Sequence, residues 1–212
     1  MIRRLIAATF ALSPFAIHAT TYSLEPDYTQ TVFRWDHLGF SSPAAQLSQG
    51  EGTLEFDRAD PTKSSVAVTF ALATLHTGVS ALDDHLNSED FFDTKKFPTA
   101  TFKSTRVEKG AKPGELKVTG NLNLHGVTKP VVLDVMLTKA ASNPRTEVPT
   151  LGFAGTAILK RSDFGLGAYV PQVGDEIKMQ ITTQAVDANA YAKYLKAQAE
   201  EEASASKKGQ EK

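Results

Sequence analysis

Histidines are the side chains here most able to move protons or hold a metal near neutral pH. His37, His76, His85 and His125 lie in the body of the chain, and His18 lies in an apolar N-terminal stretch. No two have HxH or HExxH spacing, so a metal site has weak support. Asp83 and Asp84 closely precede His85. A carboxylate beside an imidazole can orient it or raise its pKa, which is acid–base chemistry. The competing reading, which we prefer, is a hydrogen-bonded brace that fixes a short helix to what lies beneath it. His37 shares the alternation of Phe33 and Trp35, so it should point inward near one end of a strand. It is either a polar contact for a ligand head group or a satisfied core histidine. The adjacent acids Asp83/Asp84 and Glu89/Asp90 diverge on a helix and do not converge on one substrate bond. There is no G-x-S-x-G elbow, no G-x-G-x-x-G fingerprint and no phosphate loop. With no cysteine in the chain, thiol catalysis and cysteine-ligated metals are excluded.

The Asp83–His85 segment belongs to an unusual connection, residues 82–104, set between two strand-like runs. Ser80 and Asp83 have the spacing of a helix N-cap, because a hydroxyl and a carboxylate three apart can satisfy free backbone N–H groups. The aromatic residues Phe91, Phe92 and Phe97 then need burial. Pro98 stops any helix and opens the extended run Ala100, Phe102, Ser104. A short helix with its own apolar anchor, among strands, reads as a lid or plug.

Strands dominate from residue 22 to residue 186, as period-two alternation. Phe33, Trp35 and His37 alternate with Arg34 and Asp36, and Leu54 and Phe56 with Thr53 and Glu55. Val66, Val68, Phe70 and Leu72 form another apolar face, as do Ala100 and Phe102. Leu116, Val118, Leu122 and Leu124 oppose Lys117, Thr119, Asn121 and Asn123. Val131, Leu133, Val135 and Leu137 follow, then Leu151, Phe153 and Leu159 with small Gly155 and Ala157 between them, then Ile177, Met179 and Ile181. About eight strands with one apolar face each mean an antiparallel sandwich or a closed barrel, and an eight-stranded up-and-down barrel can hold one ligand inside. The expected interior is apolar and inert. Alternation alone does not distinguish a packed interior from a hollow one. Arg161-Ser-Asp-Phe-Gly165 follows the Leu159-Lys160 strand end as an architectural corner, with Ser162 or Asp163 capping a short turn and Gly165 free to take a positive φ.

The two ends of the chain differ from this body. Residues 1–19 read as a secretory signal peptide, with Arg3 and Arg4 before the apolar run Leu5 to Ile17 and cleavage after Ala19. Removing Arg3 and Arg4 takes the net charge from −1 to −3. A near-neutral surface gives no reason to invoke nucleic acid or a strongly acidic membrane. No other segment is long and apolar enough to span as a helix. An exported chain without cysteine has no disulfide framework, so stability must come from the core of residues 20–187. Residues 188–212 form a tail. Tyr191, Tyr194, Leu195 and Gln198 recur at helical spacing to about residue 203, and disorder is expected from Ser204 onward.

Five segments in order carry a resemblance. They are Trp35-Asp-His-Leu-Gly-Phe40, His85-Leu-Asn-Ser-Glu-Asp-Phe-Phe-Asp93, Phe97-Pro-Thr-Ala-Thr-Phe-Lys-Ser104, Gly120-Asn-Leu-Asn-Leu-His-Gly-Val-Thr-Lys-Pro-Val131 and Arg161-Ser-Asp-Phe-Gly165. Over residues 21–186 the chain resembles the YceI-like family of lipid-binding barrels. The resemblance implies an all-β, eight-stranded antiparallel lipocalin-like barrel with a short helical lid, here followed by a C-terminal helical extension. It implies a long-chain lipid as ligand, namely a polyisoprenoid such as an isoprenyl quinone, or a fatty amide or acid, with no other cofactor and no metal. A homodimer is a common family arrangement. The residues expected to touch the ligand are Phe33, Trp35, His37 and Phe40 near one end. Along the strands they are Leu54, Phe56, Val68, Phe70, Phe102, Val118 and Leu122, then Leu133, Val135, Phe153, Ile177, Met179 and Ile181. Leu86 and Phe91 come from the lid, which Asp83 and His85 would fix. Two departures stand out. Leu82 replaces the arginine the family often has before Asp83, which removes an Arg–Asp lock. The stretch Ser42-Pro-Ala-Ala-Gln46 is poor in bulky residues, which could widen the barrel mouth.

Three functions follow for comparison. The first is periplasmic binding, carriage or sequestration of a long-chain lipid without covalent chemistry. The second is an enzyme on a small lipophilic substrate using His37, Asp83 and His85. The third is an outer-membrane barrel, which the outward-facing Lys103, Lys117, Asp134 and Lys178 argue against.

Overall fold

Alternation along the chain becomes one antiparallel sheet that closes on itself. The computed structural model describes residues 19–210, with side chains to residue 203. The expected signal peptide therefore lies, but for its last residue, outside the described residues. The strands are β1 (Thr20–Leu24), β2 (Gln30–Arg34), β3 (Ala44–Leu47), β4 (Glu51–Phe56), β5 (Ser65–Ala71), β6 (Thr99–Lys109), β7 (Glu115–Leu124), β8 (Val127–Ser142), β9 (Pro149–Lys160) and β10 (Glu176–Asp187). Two α-helices join them, α1 (Ser80–Asn87) and α2 (Ala188–Gln210).

Ten segments make eight barrel strands. β10 pairs with β2 through Lys178↔Arg34 to Thr182↔Gln30, and then with β1 through Leu24↔Ala185 to Tyr22↔Asp187. β1 and β2 are thus two pieces of one strand. β3 pairs with β2 and β4 with β1, so they form a second interrupted strand. The remaining strands follow in chain order from β4 to β10, and the β1–β10 pairing closes the ring. This is the expected eight-stranded up-and-down barrel, which leaves little exposed sheet edge.

The two interruptions sit side by side. A single 3-10 turn at Pro26–Tyr28 breaks the first strand, while the Glu25 N–H still donates to the Gln184 carbonyl at 2.9 Å. In the second, Gln49 takes a φ of 58°, and the Gly50 N–H donates to the Thr29 carbonyl at 3.0 Å. A Cβ on Gly50 would come within 2.6 Å of both the Phe70 ring and the Thr29 methyl, so any larger residue at this crossing would force those side chains to move.

Three apolar clusters line the inside. One lies under α1 and includes Phe33, Trp35, Leu72, Leu86, Phe92, Phe164 and Ile177. A second, at the other end of β10, joins Leu24, Leu54, Phe56, Leu151 and Ala185. The third runs along the wall through Phe102, Val107, Leu116 and Val118. Outside, Lys117 and Asp134 pair at 2.7 Å across β7 and β8, and Lys103 and Lys178 are exposed. Charged outside and apolar inside is the reverse of an outer-membrane barrel. Among the described residues no helix is long and apolar enough to cross a membrane.

At α1 and at the corner after β9, details differ from the expected picture. Ser80 does not cap α1; Val79 holds the N-cap position, and no side chain caps the turn there. Asp83 turns back to the preceding loop. At the corner after β9, neither Ser162 nor Asp163 is the cap. The Asp175 carboxylate instead accepts from the Ser162 N–H at 2.9 Å and hydroxyl at 2.8 Å. Gly165 does take the expected positive φ, at 77°. α2 is capped by Asp187, whose carboxylate accepts from the Ala190 N–H at 2.9 Å. It runs to Gln210.

Candidate functional site

The interior is hollow. A cavity of about 630 Å³ runs inside the barrel, lined almost wholly by apolar side chains. Inward residues of β2, β4, β5, β6, β7, β8, β9 and β10 build its wall, because each strand sends every second side chain to the same face. Phe33, Trp35, Leu54, Phe56, Val68, Phe70, Phe102, Val118 and Leu122 all reach it. So do Leu133, Val135, Phe153, Ile177, Met179 and Ile181. Small Gly155, opposite Ile181 and Val135, keeps that part of the wall open.

Leu86 and Phe91 of the α1 segment close one end from above, with Phe92 buried beside Phe33 at a centroid distance of 6.3 Å. Phe97, outside this cluster, packs edge-on against His125 at 4.6 Å. Leu82, where a lock arginine was missed, is half-buried and lines the cavity. Ala45 from the small-residue stretch is only 2% exposed and packs into the core. The cavity wall does not include it.

Phe40 is the one expected contact that lies elsewhere. It is 91% exposed. β2 ends at Arg34, and the chain then turns with positive φ at Leu38 (59°) and Gly39 (73°), so the strand alternation no longer governs where Phe40 points. His37 still reaches the cavity mouth, because its backbone bridges Ser41 and Val173.

Asp83 and His85 do not form a pair. The Asp83 carboxylate accepts from the Thr77 hydroxyl at 2.6 Å and the Thr77 N–H at 2.7 Å, and lies 3.2 Å from His76 Nδ1. The Thr77 hydroxyl above all, then its N–H and His76, hold this carboxyl below the usual carboxylate range despite some burial. Asp83 is therefore a brace, but to Thr77 and His76, and it stands outside the cavity lining. His85 packs edge-on against Phe91 at 4.9 Å and lies 6.3 Å from the Tyr169 ring, at the mouth. His37, Asp83 and His85 are thus not assembled into an acid–base group.

The other side of the mouth comes from residues 161–175. Arg161 is buried, and its guanidinium donates to the carbonyls of Gly174 at 2.9 Å, Ala168 at 2.8 Å, Val173 at 2.9 Å and Leu166. Burial pushes its pKa down, and Asp175 opposes that shift. One side chain thereby shapes the loop that lays Tyr169 across Phe91, rings nearly parallel at 6.2 Å. Tyr169, Gln172 and Leu38 line the mouth and lay outside the sequence reading, since they sit on loops without periodicity. Thr29, Thr31 and Thr183 also line the cavity. The parity of Phe33 and Ile181 could have located Thr31 and Thr183, but their polarity hid them among the apolar pattern.

Three comparisons agree with this geometry. A family model described as the YceI-like domain matches residues 22–185. A UPF0312 protein of Vibrio cholerae is 37% identical over 164 residues, covering 76% of this chain and 85% of that protein. Among solved structures, the Campylobacter jejuni YceI protein is similar with a TM-score of 0.64 and 28% identity, covering 71% of this chain and 88% of that one. A polyisoprenoid-binding domain from Saccharophagus degradans shares the fold at a TM-score of 0.59 and 14% identity, covering 79% of this chain and 99% of that one. With its eight-stranded barrel, its lidded apolar interior and a family match that spans the whole barrel, the chain belongs to the YceI-like family.

Proposed function

We propose that this protein binds a long-chain lipid inside its barrel and carries or sequesters it in the periplasm, without covalent chemistry. The observation that carries this reading is the apolar cavity of about 630 Å³ enclosed by the barrel wall. A pocket of this kind holds a ligand by removing its hydrocarbon from water, at roughly 0.8 kcal/mol per CH₂ before ordering costs. A few isoprene units, or an equivalent stretch of acyl chain, already supply substantial binding. The name of the S. degradans domain adds support for the polyisoprenoid class, and an isoprenyl quinone or a fatty amide suits the same walls. The periplasmic setting rests on the N-terminal sequence, whose Arg3-Arg4 pair and apolar run have the form of an export signal.

An enzymatic reading finds less support. Asp83 already serves Thr77 and His76, so it is not available to orient His85 toward a substrate.

The test is purification without detergent, followed by organic extraction and mass spectrometry. A long-chain lipid recovered at close to one per protein is the expected result. Protein from several growth conditions that yields no stoichiometric lipid would overturn the reading.

A further inference from the structure

Among the described residues two buried side-chain polar atoms have no partner, Glu25 Oε2 and Thr31 Oγ1, and of these two residues Thr31 lines the cavity. Thr31 is 4% exposed, lines the cavity, and its Oγ1 makes no hydrogen bond. Its register neighbours on both sides are apolar, Leu47 on β3 and Ile181 on β10. A buried hydroxyl without a partner is costly, and native interiors seldom keep one without a reason. Two nearby cavity-lining threonines, Thr29 just before β2 and Thr183 on β10, behave differently. Thr29 and Thr183 bond each other at 2.7 Å, and the Thr183 hydroxyl also reaches the Gln184 carbonyl at 3.3 Å. Their hydrogen-bonding capacity is largely used within the protein. That of Thr31 is left over: its Oγ1 is itself covered, while the residue lines the cavity beside the two strand interruptions, so a turn about the Cα–Cβ bond brings the hydroxyl to a ligand there.

A hydroxyl in an apolar tunnel selects for a ligand atom that can bond it. Hydrocarbon cannot, and a ligand oxygen that enters the tunnel loses water and needs a donor. On the reading that the cavity holds a lipid, we propose that Thr31 is a specificity-determining residue. It donates to an uncharged acceptor oxygen, such as a ketone, quinone, ester or amide carbonyl, carried into the barrel by an otherwise apolar chain. The site favours a neutral acceptor because no cationic side chain accompanies the threonines at this level of the wall. Arg161, the buried cation that lines the cavity, donates to four backbone carbonyls at the mouth.

The experiment is a competition between two ligands that differ by one group. Farnesylacetone and the hydrocarbon in which CH₂ replaces its carbonyl are offered together from neutral phosphatidylcholine vesicles. Protein-bound lipid is then extracted and the ratio read by mass spectrometry. The wild-type chain is expected to favour the ketone. Thr31→Val, which keeps the branched shape, is expected to lower the ketone-to-hydrocarbon ratio about tenfold, as hydrocarbon takes up the sites the ketone loses. Thr31→Ser restores the hydroxyl and is expected to keep the wild-type ratio. An unchanged ratio in Thr31→Val overturns the Thr31 assignment and leaves the lipid cavity standing. If the wild-type chain retains neither ligand, nor any co-purified lipid, the cavity reading falls and the subsite with it. Thermal melting of ligand-free Thr31→Val guards against a folding artefact. Its midpoint should equal or exceed that of the wild type, since the substitution removes an unpaired buried hydroxyl.

Discussion

The wall of the barrel and its mouth are held in order by different means. From β6 to β10 the wall is a backbone ladder, with register maintained over ten or more residues in the β7–β8 and β9–β10 pairs. Each hydrogen bond there is one of many equivalents. At the mouth, residues 36–43, 76–98 and 161–175 have little ladder, and single side chains hold the loops in place. Arg161 takes four carbonyls, Asp83 takes Thr77, Asp175 takes Ser162, and Asp36 accepts from the Gly39 N–H at 3.0 Å. Stability is distributed in the wall and concentrated in the mouth. A conservative change in the wall should therefore be absorbed, and the loss of one clamp at the mouth should not.

Arg161→Met puts that contrast to its hardest test. The substitution keeps apolar bulk but strands four carbonyls around a buried position, and a loss on the order of 3–5 kcal/mol is expected. Denaturant unfolding measures it. Hydrogen exchange then locates it: amides of residues 162–174 should lose protection well before those of β7 and β8. Equal loss across both regions would mean that the mouth and wall unfold as one unit, and the contrast would fail.

The wall offers a complementary test with a smaller effect on stability. Leu133 faces the cavity from β8, opposite Val118 in register. In a packed core Leu133→Trp would overpack and cost about 1–3 kcal/mol. In a hollow barrel the indole enters open space, so a change below about 1 kcal/mol is expected while co-purified lipid falls at least tenfold. A variant that is strongly destabilised would show that the wall has no room to give.

The same division explains what was legible in the sequence. Leu116, Val118, Leu122 and Leu124 alternate cleanly because one face of β7 is buried and the other is wet. The number of barrel strands follows from repeating that pattern. Val107 was not legible: it lies five residues after Phe102, and both point inward only because a bulge between Ser104 and Arg106 resets the parity. β3 escaped for another reason, since Ala44-Ala-Gln-Leu47 carries little polar contrast. At the mouth, α1 was visible as a helix, but its brace was not. Ser80 has the right spacing to cap, yet the Asp83 carboxylate meets the Thr77 N–H and hydroxyl, a contact set by the path of the preceding loop. Phe40 shows the same limit, because strand parity was carried past the point where the strand ends.

Acidification separates the two regions more gently. The Asp83 carboxyl lies below its ordinary value of 3.8 in the folded chain, chiefly because the Thr77 hydroxyl bonds its charged form. A lowered folded value means the brace contributes above pH 3.8 and is lost as pH falls through the folded value. Exchange of the Thr77 amide should therefore quicken in that acid window, while wall amides change less. In Asp83→Asn the extra acid step at Thr77 should disappear. If it persists, another group controls the loop.

Phe40 gives the smallest effect and the sharpest discrimination. It belongs to a segment that carries the family resemblance, so sequence reasoning assigns it to the ligand. Its near-complete exposure assigns it to the surface. An inward Phe would cost about 3–5 kcal/mol on truncation, whereas an exposed one should change stability by no more than about 0.5 kcal/mol. Phe40→Ser is expected to fall in the second class, with the amount of co-purified lipid unchanged. A large loss of stability would mean that the Leu38–Phe40 turn folds inward in solution. The 36–43 loop would then add a buried aromatic ring to the mouth, beside the His37 and Leu38 it already brings there.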